Sequence, residues 1–177
     1  EINQTELNTL ERDQESLKKI KAPFVRMTHA EAVTKLQKLG SDIKEHDDLG
    51  GDDETLLTSD VDVPIFVTHW PAEIKAFYMK RNDQGLALCD DLIAPEGFGE
   101  IIGGSQREDD YDELLKRIKE HKLPVDQFQW YLDLRQYGSV PHSGFGIGLE
   151  RLVGWLCGIR HVRETIPFPR MINRLNP

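Results

Sequence analysis

Three short segments of this sequence combine residue types that can do chemistry. In GFGEIIGGSQRE (97–108) a carboxylate, Glu100, sits within a run otherwise suited to burial. A carboxylate there needs a cation, a metal or donated hydrogen bonds. Arg107 lies seven positions on, an odd spacing that places the two side chains on opposite faces of a regular strand. A bulge at Gly103-Gly104 would repair that parity and bring both into one pocket. The plainer alternative is an ordinary salt bridge from Arg107 to Asp109 or Asp110.

The second segment, LALCDDLIA (86–94), carries Asp90 and Asp91. Alternation sends them to opposite faces, so at most one can join Glu100 around a divalent ion, and the other is solvated or capped. The third, HSGFGIGLERLV (142–153), has glycine at 144, 146 and 148. These share one face of a strand, while Phe145, Ile147 and Leu149 fill the other and pack on the core. Glycine in a strand costs backbone entropy and removes packing, so a bare face leaves room for a flat object. Arg151, in the helix that follows, is placed to cover that face, and a purine ring suits it because guanidinium groups stack on aromatic rings. The spacing matches neither a Walker loop nor a GxGxxG fingerprint. A crowded barrel corner, with Glu150 and Arg151 as surface charges, accounts for the same pattern without a ligand.

Two further residues have a functional and a plain reading each. His142, after Pro141, can orient a substrate or satisfy a turn. Lys75 can hold a carboxylate or phosphate, or snorkel from a strand. His69 and Trp70 belong to a strand end and are structural.

The elements that must position these residues follow from hydrophobic period and breakers. Residues 5–20 place Leu7, Leu10, Leu17 and Ile20 at helical spacing, and Pro23 ends that helix. Residues 28–40 form a second helix, opened by a Thr28–Glu31 capping box and closed by Gly40. Residues 41–63, acidic and turn-rich, predict a solvated surface loop without calcium-loop spacing. From Pro64, the runs 64–70, 76–81, 86–94 and 98–108 are β-branched or aromatic and separated by turn residues. Helices follow at 110–122, with an Asp110–Glu113 box, and at 125–138, between Pro124 and Gly138. Then come the glycine strand, a helix over 149–158 and an irregular, proline-bounded close. The plan is α+β: an antiparallel β-sheet flanked by helices.

The bulk numbers bound the function. A chain of 177 residues suits one domain with a real core. Its formal charge of −9 argues against a general nucleic-acid surface, so any RNA contact must be local or made elsewhere. No apolar run approaches a membrane span and nothing in these residues resembles a signal peptide. Cys89 and Cys157 are expected as buried free thiols of a reducing compartment, and a cytoplasmic location is expected. The chain opens on Glu rather than Met and therefore reads as a fragment or as having a disordered start.

Taken together, GFGIGLER, GEIIGGSQRE, FYMK and the ending IPFPRMINRLNP resemble the catalytic domain of class II aminoacyl-tRNA synthetases, in the aspartyl, asparaginyl and lysyl subgroup. GFGIGLERLV resembles the third class motif, IRHVRETIPFPR…RLNP the family's C-terminal end, and LERDQESLKKIKAPFVRMTHAEAV the stretch after the second motif. GEIIGGSQRE resembles the asparaginyl members more than the EIVSGGQRE of archaeal-type aspartyl ones. The resemblance implies a C-terminal portion of one catalytic domain over 1–177: a helical lead-in (1–40), an acidic loop (41–63) and a sheet with the third motif (64–177). The first and second motifs and the anticodon-binding barrel are absent, so the isolated chain is expected to be inactive.

It further implies ATP and Mg²⁺ as cofactors, and asparagine and tRNA(Asn) as partners of a homodimeric intact enzyme. ATP would lie against Glu100, Gly146, Gly148, Leu149, Glu150 and Arg151, with Arg151 stacked on adenine. Glu100, with Asp91 as a weaker candidate, would hold the metal, and Glu100 and Arg151 would carry catalysis. Arg107 would bind the substrate's side-chain oxygen, beside Gly103 and His142. Of the same chemistry are an AMP-forming asparagine synthetase of archaeal type and an aspartyl-tRNA synthetase; of another class is a non-catalytic paralogue or interaction module.

Overall fold

Apolar residues on both faces of the central segments 65–71 and 86–94 commit the middle of a sheet to burial on two sides. A computed structural model describes residues 3–176. The five strands are β1 (Val25–Thr28), β2 (Ile65–Pro71), β3 (Leu86–Ala94), β4 (Gly99–Gln106) and β5 (Ser143–Ile147), ordered as in the sequence. β1 pairs with β2 in parallel, and every other neighbour is antiparallel. The α+β expectation holds.

On one face, Ile65, Val67, Cys89 and Ile93 pack with Ala32, Val33 and Leu36 of α3 (His29–Lys38) and Leu57 of α4 (Gly51–Leu57). On the other, Leu92, Ala94 and Ile101 pack with Leu152 and Trp155 of α7 (Leu149–Cys157). A third cluster, Leu114, Ile118 and Leu132, joins α5 (Tyr111–Glu120) to α6 (Gln129–Gln136). The caps work as their residue types dictate. Thr28 and Glu31 form the full reciprocal box on α3, and Asp110 caps α5 by accepting from the Glu113 amide at 2.9 Å. Among the described residues no helix is long and apolar enough to cross a membrane.

Four expectations are corrected and one strand is added. Residues 5–20 are two short helices, α1 (Gln4–Thr9) and α2 (Gln14–Lys19). The break falls where Arg12 is drawn into the fold to pair with both oxygens of Glu96, at 2.7 and 2.8 Å. Residues 25–28 form a strand, too short to show a period. The acidic stretch is no solvated loop: α4 lies within it, anchored by buried Leu57 and by Ser41 Oγ donating to Asp53 at 2.7 Å. Residues 76–81 form no regular strand, only single bridges from Met79 to Arg107 and from Arg81 to Ala87. Consecutive Phe77 and Tyr78 both pack toward the α5–α6 cluster, which an alternating strand forbids. Finally, Phe145, Ile147 and Leu149 do not pack on the core, and Phe145 is 72% exposed. The reason is that α7 inserts Leu152 and Trp155 beneath β3 and β4 rather than beneath β5.

The α4 correction has a measurable consequence. Truncating Leu57 to Ala is expected to lower unfolding free energy by about 2–5 kcal/mol in urea denaturation, as for a buried leucine. A residue in a solvated loop would shift it by less than about 0.5 kcal/mol.

Candidate active site

The chemistry gathers on the half of the sheet that α3 and α4 leave uncovered, and one irregularity puts it there. Along β3 and β4, Cys89 faces Ser105, Asp91 faces Gly103 and Leu92 faces Ile102, but the next pair is Ile93 with Glu100. Ile101 is therefore the extra residue of a bulge. The bulge that the odd Glu100–Arg107 spacing calls for exists, and it lies at Ile101 rather than at Gly103-Gly104. Ile101 turns into the α7 core, and Glu100 joins the face of Asp91 and Gly103.

There the two carboxylates converge. A Cβ built on Gly103 would stand 2.8 Å from Glu100 Oε1 and 3.5 Å from Asp91 Oδ1, so the bare backbone lets both carboxylates lie over this one position without displacement. Asp90 points to the opposite face, beside Gly104. Asp91 Oδ2 is held by Lys75 Nζ at 2.7 Å, with side chains 8% and 12% exposed. Lys75 also sits 3.6 Å above the Trp70 ring, so it holds a carboxylate rather than snorkelling from a strand. Burial pushes the Asp91 carboxyl above its ordinary range, and the Lys75 charge pulls it partly back. Burial raises Glu100 as well, reinforced by Asp91. Burial alone would push the Lys75 ammonium down, but Asp91 overrides it and the net direction is up. Cys89, behind this pair, is a buried thiol pushed by desolvation up to about 11, so it stays protonated at neutral pH. It and Cys157 are both free.

Two converging carboxylates without a third protein ligand fit Mg²⁺, which takes one or two carboxylates and completes its shell with substrate phosphates and water. Among the described residues no cluster of three His, Cys, Asp or Glu could hold a metal by itself.

The glycine face divides into three parts. A Cβ on Gly144 would meet the Arg107 guanidinium, 2.9 Å from Nη2. A Cβ on Gly148 would rest 3.7 Å from the Arg151 stem. Gly146 alone has nothing within 4 Å, and it pairs directly with bare Gly103. The result is an open, side-chain-free floor flanked by two guanidinium groups. Arg151 is aimed back at the sheet, its Nη1 donating to the Glu100 carbonyl at 2.9 Å. With Gly148 and Glu150 it also borders a cleft of about 890 Å³ against the closing segment, near Arg163, Arg170 and Met171.

Arg107 makes no salt bridge to Asp109 or Asp110. Asp109 pairs with Lys80 and Asp110 is spent on the α5 cap. The Arg107 guanidinium lies 4.7 Å over the Tyr78 ring, and its amide donates to the His142 carbonyl at 2.9 Å. The His142 ring serves its own turn, with Nδ1 2.8 Å from the Val140 carbonyl.

Two residues that matter here gave no sequence signal. Glu54, on α4, accepts from the Glu100 amide at 3.1 Å and lies against Gly99, whose φ of +71° places its backbone in the left-handed region. Burial raises its carboxyl, countered by the Glu100 N–H and then by Arg151. Glu108 is buried with Arg117 at 2.9 Å and braces the turn behind Arg107. Both were hidden among abundant acidic residues; only their burial marks them.

The fold and this arrangement define a class II synthetase core, and the comparisons agree. The family model "tRNA synthetases class II (D, K and N)" matches residues 2–172; the chain belongs to that family. It is 52% identical to the asparagine–tRNA ligase of Pelotomaculum thermopropionicum over the whole chain and 42% of that protein. With the asparagine–tRNA ligase of Sorangium cellulosum the figure is 49%, over the whole chain and 43% of that protein. The crystal structure of asparaginyl-tRNA synthetase from Pyrococcus horikoshii complexed with asparaginyl-adenylate superposes with a TM-score of 0.94 at 50% identity, covering 98% of this chain and 40% of that one. The chain thus spans less than half the length of these relatives.

The Lys75–Asp91 pair sets an expectation of its own. Replacing Lys75 by Met strands a buried carboxylate and is expected to cost about 3–5 kcal/mol at neutral pH. The loss should shrink on acidification: without Lys75 the folded-state Asp91 carboxyl rises further, so the folded variant takes up a proton that the parent does not yet bind. Urea denaturation at a series of pH values reads this directly, and a loss independent of pH would contradict it.

Proposed function

We propose that this chain is the C-terminal portion of an asparaginyl-tRNA synthetase catalytic domain. In the intact enzyme it would activate asparagine with ATP to asparaginyl-adenylate and pass the acyl group to tRNA(Asn). The observation that carries this reading is the bare Gly103–Gly146 floor, with Arg151 at one end, Arg107 at the other and the Asp91–Glu100 carboxylates beside it. A flat base, a polyphosphate and a short polar side chain each have a complementary surface there. Family membership and the asparagine–tRNA ligase relatives support the choice of substrates.

In this reading the asparagine α-carboxylate attacks the ATP α-phosphorus. A new P–O bond forms, the bond to the β-phosphate oxygen breaks, and pyrophosphate leaves. No protein nucleophile takes part, so the chain contributes position and electrostatics. Arg151 lies over adenine and is held in place by the Glu100 carbonyl. Gly146 and Gly148 line the floor beneath, next to Leu149 and Glu150. Glu100 and Asp91 hold Mg²⁺, which supplies neutralisation of phosphate charge. Arg107 donates to the side-chain carboxamide oxygen, with Gly103 and His142 at the margin of that pocket. The complete reaction, its homodimeric assembly and its cytoplasmic setting belong to the longer polypeptide.

The decisive measurement is ATP–pyrophosphate exchange by the polypeptide at its relatives' full length, with asparagine and with aspartate, with and without tRNA. Exchange with asparagine is expected. Exchange with aspartate alone would reassign the substrate, and free asparagine formed from aspartate without tRNA would reassign the product. Arg151→Ala is expected to raise the ATP KM at least about tenfold, the value of one or two lost charged contacts, and to leave the asparagine KM nearly unchanged. Arg107→Ala is expected to do the reverse.

A further inference from the structure

Arg107 is a cation among acids, yet none of them claims it. Glu108 is taken by Arg117 and Lys80, and Asp109 by Lys80. Among the described residues Arg107 forms no ion pair; its guanidinium lies over the Tyr78 ring at 4.7 Å and against bare Gly144 on β5. We infer that Tyr78 is a positioning residue: its ring and the empty Gly144 face form a slot that fixes the Arg107 guanidinium while leaving its hydrogen-bond donors free for the substrate's side-chain oxygen.

The physical argument rests on where the donors point. The five N–H groups of a guanidinium lie in its plane. A carboxylate partner engages them edge-on, often two at a time, and so competes with a substrate carboxamide for the same donors. An aromatic ring holds the cation through its face and uses none of them. A ring can therefore orient an arginine that must stay available, which a salt bridge cannot.

Tyr78 is itself firmly placed. Its carbonyl accepts from the Glu108 amide at 2.9 Å. The neighbouring Met79 carbonyl accepts from Arg117 Nη1 at 2.5 Å, and the Lys80 amide donates to the Gln106 carbonyl at 2.9 Å. Phe77 packs edge-on against Tyr78 and Phe128, with centroids 5.4 and 5.2 Å apart. This bracket is the segment 76–81 that the sequence alone predicts to be a strand. Leaving the alternating pattern is what lets both rings lie on the side of the α5–α6 cluster, where the Tyr78 ring also meets Arg107. Across the slot, a methyl at position 144 would press on Nη2, Nε and Cζ at 2.9, 3.2 and 3.5 Å, the far end of a flexible chain that can yield.

This inference depends on the reading that Arg107 binds the amino-acid side chain, and the test separates the two. In the full-length enzyme, ATP–pyrophosphate exchange is measured for Tyr78→Leu, Tyr78→Phe, Gly144→Ala, Arg107→Ala and the Tyr78→Leu/Arg107→Ala double variant. Tyr78→Leu is expected to raise the asparagine KM about five- to thirtyfold, the range of one partly desolvated cation–π contact, with the ATP KM within about twofold of the parent. Tyr78→Phe keeps the ring and should restore the parent value. Gly144→Ala, which displaces the guanidinium from the other side, should raise the asparagine KM while leaving the melting temperature unchanged. In the Arg107→Ala background, Tyr78→Leu should add nothing, because it acts through that arginine. A Tyr78→Leu effect equal on both substrates, one that persists without Arg107, or one that Phe does not rescue overturns the inference. If Tyr78→Leu does not fold, Gly144→Ala and Tyr78→Phe still decide it: an unchanged asparagine KM in the first, or a raised one in the second, counts against the slot. If Arg107→Ala leaves the asparagine KM untouched, the reading of Arg107 fails instead.

Discussion

The site depends on a single surplus residue in β4. Without the bulge at Ile101, Glu100 would share a face with Ile102 and Gly104 and point into the α7 core, an uncompensated carboxylate among Leu92, Ala94 and Trp155. With it, the apolar side chain enters the core and the carboxylate crosses to the open face. One backbone irregularity thus resolves a burial conflict and assembles the Asp91–Glu100 pair. The Glu54 carboxylate sits at the base of the same irregularity, accepting from the Glu100 amide, so the helix inside the acidic segment also secures the bulge.

Once the carboxylate is in place, the charges divide by partner. Asp91 has Lys75, Glu96 has Arg12, and Glu108 has Arg117 and Lys80. Each couples a buried or half-buried anion to a cation, which its desolvation demands. Among the described residues, Glu54, Glu100, Arg107 and Arg151 stand at this site without an ion pair. Glu100 is held by its backbone, Arg151 by a carbonyl and Arg107 by an aromatic ring. The salt bridges go to groups that brace the fold, whereas Glu100, Arg107 and Arg151 are fixed by contacts that leave their charge unpaired.

The motif residues were legible because their types are improbable in their settings. Glycines at alternate positions, a carboxylate in an apolar strand and an odd spacing to an arginine each conflict with ordinary strand rules, and the structure resolves each conflict at the site. Strands 86–94 and 98–108 and the caps at Thr28 and Asp110 were equally plain, because alternation and capping are local. What stayed hidden is non-local. α4 shows no run of apolar residues beyond Leu56 and Leu57, and its stability comes from tertiary burial. Residues 76–81 alternate convincingly but are pulled apart by aromatic packing against α5 and α6. Glu54 and Glu108 are two acids among thirty-one, distinguishable only by what surrounds them.

The glycine strand is where the single-ligand reading of the pattern gives way. Three bare positions read as one ledge for one ring, yet the structure gives them three tasks: Gly144 clears Arg107, Gly148 accommodates the Arg151 stem, and only Gly146 is open floor. A Cβ at the first or last would press on, or pack against, an arginine, while a Cβ at Gly146 would enter the open space itself. The period-two repeat therefore records two arginines and the gap between them. Such a gap has a natural scale: adjacent same-face residues along a strand are separated by about 7 Å, so the ends of the glycine run stand about 13 Å apart. Both ends of that span are taken by arginine side chains, which leaves Gly146, paired with bare Gly103, as the open position between them.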